Sequence, residues 1–523
     1  MRRFVGLAVA VVAMGSLAST ASARVLLVGK YRGMAGQFKT IQAAVDAAKP
    51  NDWILIGPGD YKTSTWRTPK AKLTVPAGVL ITKPGLYLRG MNRNTVIVDG
   101  TKPGSARCSR AKGAQNFGGR YYPKGPIGLN GIEVWKANSV WVQNLTVCNF
   151  LSGQGGSTGN EVWWNGGGSG RVTGHGFLGS YLTATSTYYG QTNGDRTAAT
   201  YGIFSSNWSG GTFSRDYASN FSDSGFYIGA CKQVCNQTVD HIRAQYSSLG
   251  YSGSNSGGQL VVKNSEFDHN KDGFDTNSQN GDNPPPQNGA CPGNRLSPIT
   301  HTRSCWVFMN NRVHDNNNPN VPQVGASGSA PVGTGMSISG GRFDTVMNNT
   351  FKNNGSWGLI LIPFPDKGPP CTGGTMNSLG AGTCLYDDWG DAIQNNTFSG
   401  NGTFGHPSNG DIAWLNFENG HPTPCFRGNK AQGGGAVTTS PASLQQTNPR
   451  CDGSSVAANG NGQFLNEVLC NTQVSLTSGP PSCPSGQYPR RARVVMHPLP
   501  KGLPTMPNPC RGVPANPWCP RRR

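Results

Sequence analysis

The sequence of 523 residues is poor in acidic residues and in long apolar runs. Only 25 residues are Asp or Glu, against 45 Lys or Arg, which gives a formal net charge of +20. After residue 23, no stretch approaches the roughly 20 apolar residues that a membrane-spanning helix needs. The surplus of positive charge predicts an anionic partner, whether an acidic glycan, a cell-wall polymer or a nucleic acid.

Two common site signatures are also missing. No Cys-x-x-Cys pair occurs and the histidines do not cluster with the cysteines, which argues against zinc. Gly166-Gly-Gly168 lacks the Lys-Ser/Thr of a phosphate-binding loop, so nucleotide binding has no support. No long helical pattern of apolar residues follows residue 50. The chain is therefore predicted to consist mainly of β-strands.

The first 23 residues have the pattern of an export signal. Met1-Arg2-Arg3 precede an apolar run from Phe4 to Leu17 and the small residues Ala21-Ser22-Ala23. We expect the mature chain to begin near Arg24, to be secreted as a monomer, and to lack a membrane span.

The fourteen cysteines agree with export, because disulfides persist outside the cytoplasm. Sequence does not determine their pairing. Neighbours that would close short loops are plausible partners: Cys231 with Cys235, Cys371 with Cys384, and Cys510 with Cys519.

Glycine recurs at a nearly constant interval. Gly202, Gly225, Gly250 and Gly273 are separated by 23, 25 and 23 residues, and Gly335 and Gly358 by 23. Asparagine-rich elements repeat alongside, for example Asn264-Ser-Glu-Phe-Asp-His-Asn270 and Asn348-Asn-Thr-Phe-Lys-Asn-Asn354. A period near 23 fits one coil of three short strands, with asparagines at the turns bonded to the coils above and below. A leucine-rich repeat or a β-propeller fits less well, because neither the leucine framework nor the longer blade period is visible.

The start of the chain supports the same architecture. Ile41, Ala44, Val45 and Ala48 follow Thr40 at helical spacing. The strand Trp53-Ile-Leu-Ile56 and the turn Gly57-Pro-Gly59 come next. This opening resembles that of the pectate-lyase-like superfamily. The chain as a whole, with its repeat, resembles secreted bacterial β-helix repeat proteins. The resemblance implies an all-β, single-stranded, right-handed parallel β-helix with a short N-terminal capping helix, which we place at residues 24–430.

Two regions interrupt this pattern. Residues 151–200 read as a Gly-rich and aromatic insertion, either a loop on the substrate side or a packing flap. Trp163 and Trp164 are its candidate sugar-stacking residues. Residues 431–523 read as an irregular Cys/Pro-rich region that could cap the last coil or trail from it. From Pro484 to the end it holds eight basic residues and no acidic one.

The densest polar segment runs from Glu266 to Asp275 and includes His269, a candidate for substrate binding. Asp272-Gly-Phe-Asp275 resembles the calcium-binding segment of polysaccharide lyase family nine. The resemblance implies that Asp272 and Asp275 hold Ca²⁺ and that a lysine removes a proton from a uronate. Strict strand alternation would place Asp272 and Asp275 on opposite faces, unless Gly273 bends the chain.

This sequence departs from the family pattern at two points. Lys271 replaces the first aspartate of the family's run, which leaves a cation short of ligands. No lysine occurs between Lys271 and Lys352, so Lys271 itself or Arg312 would have to act as the base. Arginine is a poor base because it stays protonated in proteins. Two other motifs match only in part. Gly174-His-Gly176 resembles a fragment of a polygalacturonase motif, and Asp268-His269 resembles a fragment of a mannuronan C5-epimerase motif.

The sequence therefore predicts a protein that acts on or binds an acidic extracellular polysaccharide, and we expect no nucleic-acid partner. A cation-dependent β-eliminating lyase is the first hypothesis. A non-catalytic glycan-binding or cell-wall-binding protein is the second, and a structural surface protein the third.

Overall fold

A computed structural model describes residues 23–521 apart from short gaps. The gaps are residues 64–66, 69–75, 122–124, 154–157, 169–170, 193–194, 281–283, 368–369, 378–382, 455–458 and 476–479. The predicted export signal therefore lies almost wholly outside the described residues.

Three long parallel sheets wind around one core, so the predicted right-handed parallel β-helix is confirmed. Sheet 1 contains Val25–Val28, Trp53–Ile56, Tyr87–Gly90, Val140–Gln143, Phe177–Ser180, Gly211–Ser214, Gln237–Asp240, Leu260–Lys263, Trp306–Met309, Asp344–Met347, Ala392–Gln394 and Cys425–Arg427. Sheet 2 contains Ala77–Ile81, Asn130–Trp135, Asn160–Asn165, Tyr201–Ser206, Ser224–Gly229, Leu249–Ser254, Asp272–Asn277, Thr334–Ser339, Trp357–Ile362, Gly410–Trp414 and Thr439–Ser440. Sheet 3 contains Gly59–Lys62, Val96–Asp99, Thr146–Cys148, Thr183–Thr185, Tyr217–Ser219, Arg243–Gln245, Glu266–Asp268, Arg312–His314, Thr350–Lys352, Thr397–Ser399 and Lys430–Ala431.

The remaining elements are short. The helices are α1 (Ile41–Ala47), α2 (Leu444–Thr447) and α3 (Gly462–Thr472), with 3-10 turns at Lys112–Ala114, Pro292–Asn294 and Ala326–Ser329. Small sheets pair Lys30–Tyr31 with Met34–Ala35, Arg120–Tyr121 with Gly125–Pro126, Gly174–His175 with Trp208–Ser209, Tyr189–Thr192 with Asp195–Ala198, and Thr383–Tyr386 with both Phe364–Lys367 and Thr375–Asn377. Helix α1 is capped by Thr40, as predicted, and buries Ile41, Ala44 and Val45 against the first coil.

The repeating glycines form a column inside sheet 2. A Cβ on Gly250 would lie 2.3 Å from the carbonyl oxygen of Gly273, and a Cβ on Gly273 would lie 2.5 Å from that of Gly335. Distances this short leave no room for a side chain at these two positions. The glycine repeat is therefore a packing requirement of the coils that carry it.

Two asparagine ladders bind consecutive coils at the turns on either side of sheet 3. In one ladder, Asn349 Oδ1 accepts the Asn311 N–H at 2.9 Å, and Asn349 Nδ2 donates to the Phe308 carbonyl at 3.0 Å. In the other, Asn354 Oδ1 accepts the Asn316 N–H at 3.2 Å. Each buried amide thus satisfies backbone groups that the turn leaves unpaired. The predicted bonding of turn asparagines between coils is confirmed.

The stretch 151–200 contains one complete coil. Asn160–Asn165 joins sheet 2, Phe177–Ser180 joins sheet 1 and Thr183–Thr185 joins sheet 3. The glycine signature is absent from this coil because Glu161 follows Asn160, where the neighbouring coils carry glycine. The Glu161 carboxylate accepts the Phe150 N–H inside the coil. What departs from the repeat is mainly the hairpin of Tyr189–Thr192 and Asp195–Ala198.

The last segment of the chain runs back along the coils to the N-terminal end. The Val495 N–H donates to the Asn320 carbonyl, the His497 N–H to Asn220 Oδ1, and the Met506 N–H to Asn144 Oδ1. Trp518 reaches the first coil, where it is 1% exposed and packs with Trp53, Leu55 and Met91. We call residues 486–519 the C-terminal strap.

Seven disulfides use all fourteen cysteines. The three suggested pairs, Cys231–Cys235, Cys371–Cys384 and Cys510–Cys519, are confirmed. Such complete pairing fits an oxidising compartment. Within the described part of the chain, no helix has the length and apolarity to span a bilayer.

Replacing Asn349 by Ala is expected to lower the free energy of unfolding by about 2 kcal/mol, because the Asn311 N–H and the Phe308 carbonyl lose a buried partner. Urea denaturation measures the change. The matched control is T350A at the exposed neighbour, which should cost under about 0.5 kcal/mol. Equal losses in the two variants would contradict a stabilising role for the ladder.

Replacing Trp518 by Ala is expected to release the end of the strap and to cost about 3 kcal/mol, because a large buried side chain leaves the N-terminal cluster. Urea denaturation gives the energy, and limited proteolysis should show faster cleavage within residues 486–519. The control is W135A, since Trp135 is only half-buried. A strap that stays protease-resistant in W518A would contradict anchoring by Trp518.

Candidate functional site

A pocket of about 680 Å³ lies on the outer face of sheet 2. Its floor comes from six consecutive coils, from Tyr201 to Ile360. One wall is formed by residues 327–331 and α3, and the other by the hairpin at Phe364–Lys367. The volume falls in the range of small-molecule sites, which is about 300–1,000 Å³.

Two aspartates on the floor carry the chemistry of the pocket. The Asp275 carboxylate accepts hydrogen bonds from Asn277 Nδ2 at 2.6 Å and Ser339 Oγ at 3.0 Å. Asp223 Oδ2 accepts from the Tyr201 hydroxyl at 3.2 Å. Each side chain is thus held in place by neighbours that also line the pocket.

Burial changes the acidity of both groups. Desolvation raises the pKa of Asp223 to about 7 and that of Asp275 to about 6. The negative charge of Asp275 contributes to the rise at Asp223. Near neutral pH the raised pKa values leave Asp223 partly protonated and Asp275 mostly ionised.

Asp272 lies on the same face as Asp275, beneath the pocket. Its Oδ2 accepts from Ser337 Oγ at 2.8 Å, and Ser337 lines the floor. Strict alternation fails here because Gly273 and Phe274 both face inward: Phe274 is fully buried, and a Cβ on Gly273 would lie 3.0 Å from Val313. Gly273 therefore does bend the strand. Burial and the charge of Asp275 raise the pKa of Asp272 well above its usual value.

Lys271 is buried at the edge of the pocket. Its Nζ donates to the Gly328 carbonyl at 2.6 Å, so it holds the wall segment 327–331 against sheet 2. Desolvation, with the nearby charges of Arg490 and Arg491, lowers its pKa to about 8. Lys271 is not among the residues that line the pocket.

Arg312 and His269 lie elsewhere, on sheet 3 and at the turn that follows it. Arg312 has a side chain that is 69% exposed and approaches Glu266 at 3.9 Å. His269 Nδ1 lies 2.6 Å from Asp268 Oδ2. The structure therefore does not bring these two candidates to Asp272 and Asp275, which belong to sheet 2.

The two tryptophan candidates occupy different environments. Trp164 is fully buried in the core, between Phe177 and Phe213, so it is not available to a sugar. Trp163 faces outward, 7% exposed, and stacks on Phe204 at 4.9 Å. That cluster continues to Tyr201 and Tyr227, which do line the pocket. Trp163 thus supports the pocket aromatics from one side.

The residues at Asp272 and Asp275 do not fit the Ca²⁺ ion that the family resemblance implies. Their oxygens already accept bonds from Ser337, Ser339 and Asn277. Among the described residues, neither aspartate belongs to a group of three His, Cys, Asp or Glu ligand atoms within 4.8 Å of one another. One group that meets this distance, Glu266, Asp268 and His314, is instead bound by the guanidinium of Arg243, at 2.9 Å from Asp268.

Sequence reasoning missed Asp223 and the walls of the pocket. Asp223 stands two residues before Gly225, as Lys271 stands two residues before Gly273. Aligning the coils on their glycines would have placed Asp223 on the same edge as Lys271. The walls come from α3 and from residues 327–331, whose return to sheet 2 has no periodic signal.

Comparisons with known proteins identify no family for this chain. No family model and no curated protein matches the chain. Among solved structures, the A-module of mannuronan C-5 epimerase AlgE6 of Azotobacter vinelandii is similar, with a TM-score of 0.45 and 12% identity over 76% of this chain and 90% of that one. Pectate lyase Pel9A is also similar, with a TM-score of 0.40 and 13% identity over 84% and 86%.

A third similar structure is pectin methylesterase PemA from Erwinia chrysanthemi, with a TM-score of 0.31 and 14% identity over 73% of this chain and 91% of that one. Similarities at this level carry no argument about the reaction. The β-helix is established by the three parallel sheets of this chain itself, and function has to be argued from the pocket.

The raised pKa of Asp223 predicts a pH-dependent loss of stability. A carboxyl whose pKa is higher in the folded state contributes stability that is complete below about pH 3.8 and is lost as the pH rises toward about 7. The variant D223N stays neutral, so it should gain stability relative to the parent protein as the pH rises from 4 to 7. Urea denaturation across this range measures the difference, with D452N at an exposed site as control. A constant difference would contradict the raised pKa.

Proposed function

We propose that the protein binds a segment of a neutral extracellular polysaccharide in the pocket on sheet 2 and hydrolyses a glycosidic bond there. The observation that carries this proposal is the pair Asp223 and Asp275, two carboxyls with raised pKa values that line one pocket. Glycoside hydrolysis usually needs such a pair, one protonated and one ionised.

The lining suits a carbohydrate. Tyr201, Tyr227, Phe364 and Phe417 offer apolar faces for sugar rings, while serine hydroxyls and the Asn277 amide offer hydrogen bonds to hydroxyl groups. Aromatic side chains combine a large contact area with little conformational freedom to lose. The mixture supports a sugar better than a wholly apolar ligand.

The charge of the lining favours a neutral sugar. The lining contains Asp223, Asp275 and Asp366 but no Lys, Arg or His among the described residues. A uronate in the pocket would meet negative charge without a cation to neutralise it, and β-elimination depends on that neutralisation. An anionic polymer would instead have to be met by basic side chains outside the pocket, such as those of the C-terminal strap.

The catalytic roles of the two aspartates follow from their different pKa values. Asp223, with a pKa of about 7, donates a proton to the leaving oxygen, and Asp275 acts as the base that activates water. Asp223 directly precedes one strand of sheet 2, and Asp275 lies in the second strand beyond it, so the strand Leu249–Ser254 separates the two aspartates. Tyr201, Asn277 and Ser339 position the two carboxyls.

The variants D223N and D275N are each expected to lower kcat by about 10² to 10⁴-fold, the usual contribution of a general acid or base. Release of reducing ends from a panel of neutral and uronic polysaccharides measures activity, and D452N is the control. Activity that survives both substitutions would overturn the assignment of the pair.

The same assay separates the alternatives. Unsaturated product from uronic polymers, seen as ultraviolet absorbance, would replace hydrolysis by β-elimination and return attention to Lys271. Binding of glycans without any cleavage would leave a carbohydrate-binding protein, and would overturn the catalytic part of the proposal.

A further inference from the structure

Two basic segments that are far apart in the chain meet beside sheet 3. The first is the loop that follows Asp99, and no Asp or Glu occurs in it from Gly100 to Ile132. The second is the C-terminal strap, which also contains no acidic residue. The two segments expose six cations: Arg107, Arg110 and Lys112 in the loop, and Arg491, Arg493 and Lys501 in the strap. We call these six residues the basic surface.

Packing brings the loop and the strap together. Leu499 of the strap packs against the buried cluster that contains the disulfide Cys108–Cys148. Arg110 stands two residues after Cys108, and Lys501 stands two residues after Leu499. Because one residue extends the backbone by at most about 3.6 Å, the backbone of each cation lies within about 7 Å of the residue that makes this contact. The loop and the strap therefore form one continuous face.

Hydrogen bonds hold the backbone of the strap on this face. Asn220 Nδ2 donates to the His497 carbonyl at 3.1 Å, and the Leu503 N–H donates to Asn94 Oδ1 at 3.1 Å. Cations on a fixed backbone lose less conformational freedom on binding than cations on a free tail. The strap is therefore a preorganised support for its charges and does not trail from the last coil.

The cations of the basic surface have no acidic partner. Within the described part of the chain, no ion pair joins any of them to a carboxylate. Asp99, at the start of the loop, is fully buried and paired with Lys62, so it does not compensate the exposed charges. Positive charges gathered without counter-charges attract an anionic polymer.

The aromatic side chains that a single-stranded nucleic acid would need are missing from this face. Such nucleic acids bind by stacking bases on aromatic rings as well as by charge. The loop from Gly100 to Gln115 has no Phe, Tyr or Trp, and the strap has only Tyr488 and Trp518. These two side chains are 2% and 1% exposed, so neither is available for stacking. Complete disulfide pairing fits an oxidising compartment, which favours an extracellular polymer.

We infer that the basic surface binds an acidic polysaccharide through ion pairs with the carboxylates of its sugars. Four of the six cations are arginines, whose planar guanidinium matches a carboxylate with two parallel hydrogen bonds. The strap from Arg491 to Lys501 is a row of at most about 36 Å, a shape that suits an extended polymer. None of the six residues lines the pocket on sheet 2, so the protein is held on an acidic polymer by a surface other than its pocket.

The experiment compares binding of the whole protein to immobilised polygalacturonate and to the same polymer with its carboxyls methyl-esterified. Only the charged polymer is expected to bind. Raising the NaCl concentration from about 50 mM to about 500 mM should remove this binding, because exposed ion pairs are screened by salt. The assay requires no turnover, so its result is independent of the proposed hydrolysis.

Two triple variants divide the basic surface into its halves. The loop variant is R107Q/R110Q/K112Q and the strap variant is R491Q/R493Q/K501Q. Each is expected to weaken binding by about tenfold, because three exposed ion pairs with the polymer are lost. All six positions are exposed, so the midpoint of thermal unfolding should stay that of the parent protein.

The matched control is K232Q/R295Q/R303Q, which removes the same charge from exposed positions in turns between sheets 2 and 1. It should bind as the parent protein does. An equal loss in this control would show a response to net charge alone and would overturn the proposal. Full binding by both triple variants, or equal binding to the esterified polymer, would also overturn it. Tighter binding to single-stranded or duplex DNA, lost in the same triple variants, would replace the polysaccharide by a nucleic acid.

Discussion

Stacking of one coil on the next is the constraint on which the rest of this structure depends. No coil has a core of its own, because its inward side chains become buried only between neighbours. The glycine column permits the backbones to approach, and the asparagine ladders satisfy the amides that the turns leave unpaired. Since both features repeat at fixed positions, each residue that follows them is placed at a defined point on the outer surface.

The chemistry of the pocket follows from this placement. The inward pair Gly273-Phe274 brings Asp272 and Asp275 to one face, and stacking places Asp223, from an earlier coil, in the lining of the same pocket as Asp275. Walls supplied by α3 and by residues 327–331 then remove water from the carboxyls and raise their pKa values.

Much of the fold could be predicted because its signals are periodic and local. The glycine interval, the asparagine elements and the Thr40 cap each identified the feature that the structure contains. The coil at 160–185 was hidden because Glu161 replaces glycine, and Asp223 was missed because the coils were not aligned on their glycines. The path of the C-terminal strap could not be predicted, since its contacts, such as Met506 with Asn144, join residues far apart in sequence.

The most direct test of this account is a crystal structure of the double variant D223N/D275N soaked with oligosaccharides from a neutral polysaccharide that the parent protein cleaves or binds. The account predicts a sugar chain on sheet 2, with a glycosidic oxygen beside residue 223 and the anomeric carbon on the side of residue 275. A sugar chain bound instead along sheet 3, near Arg312 and His269, would contradict it.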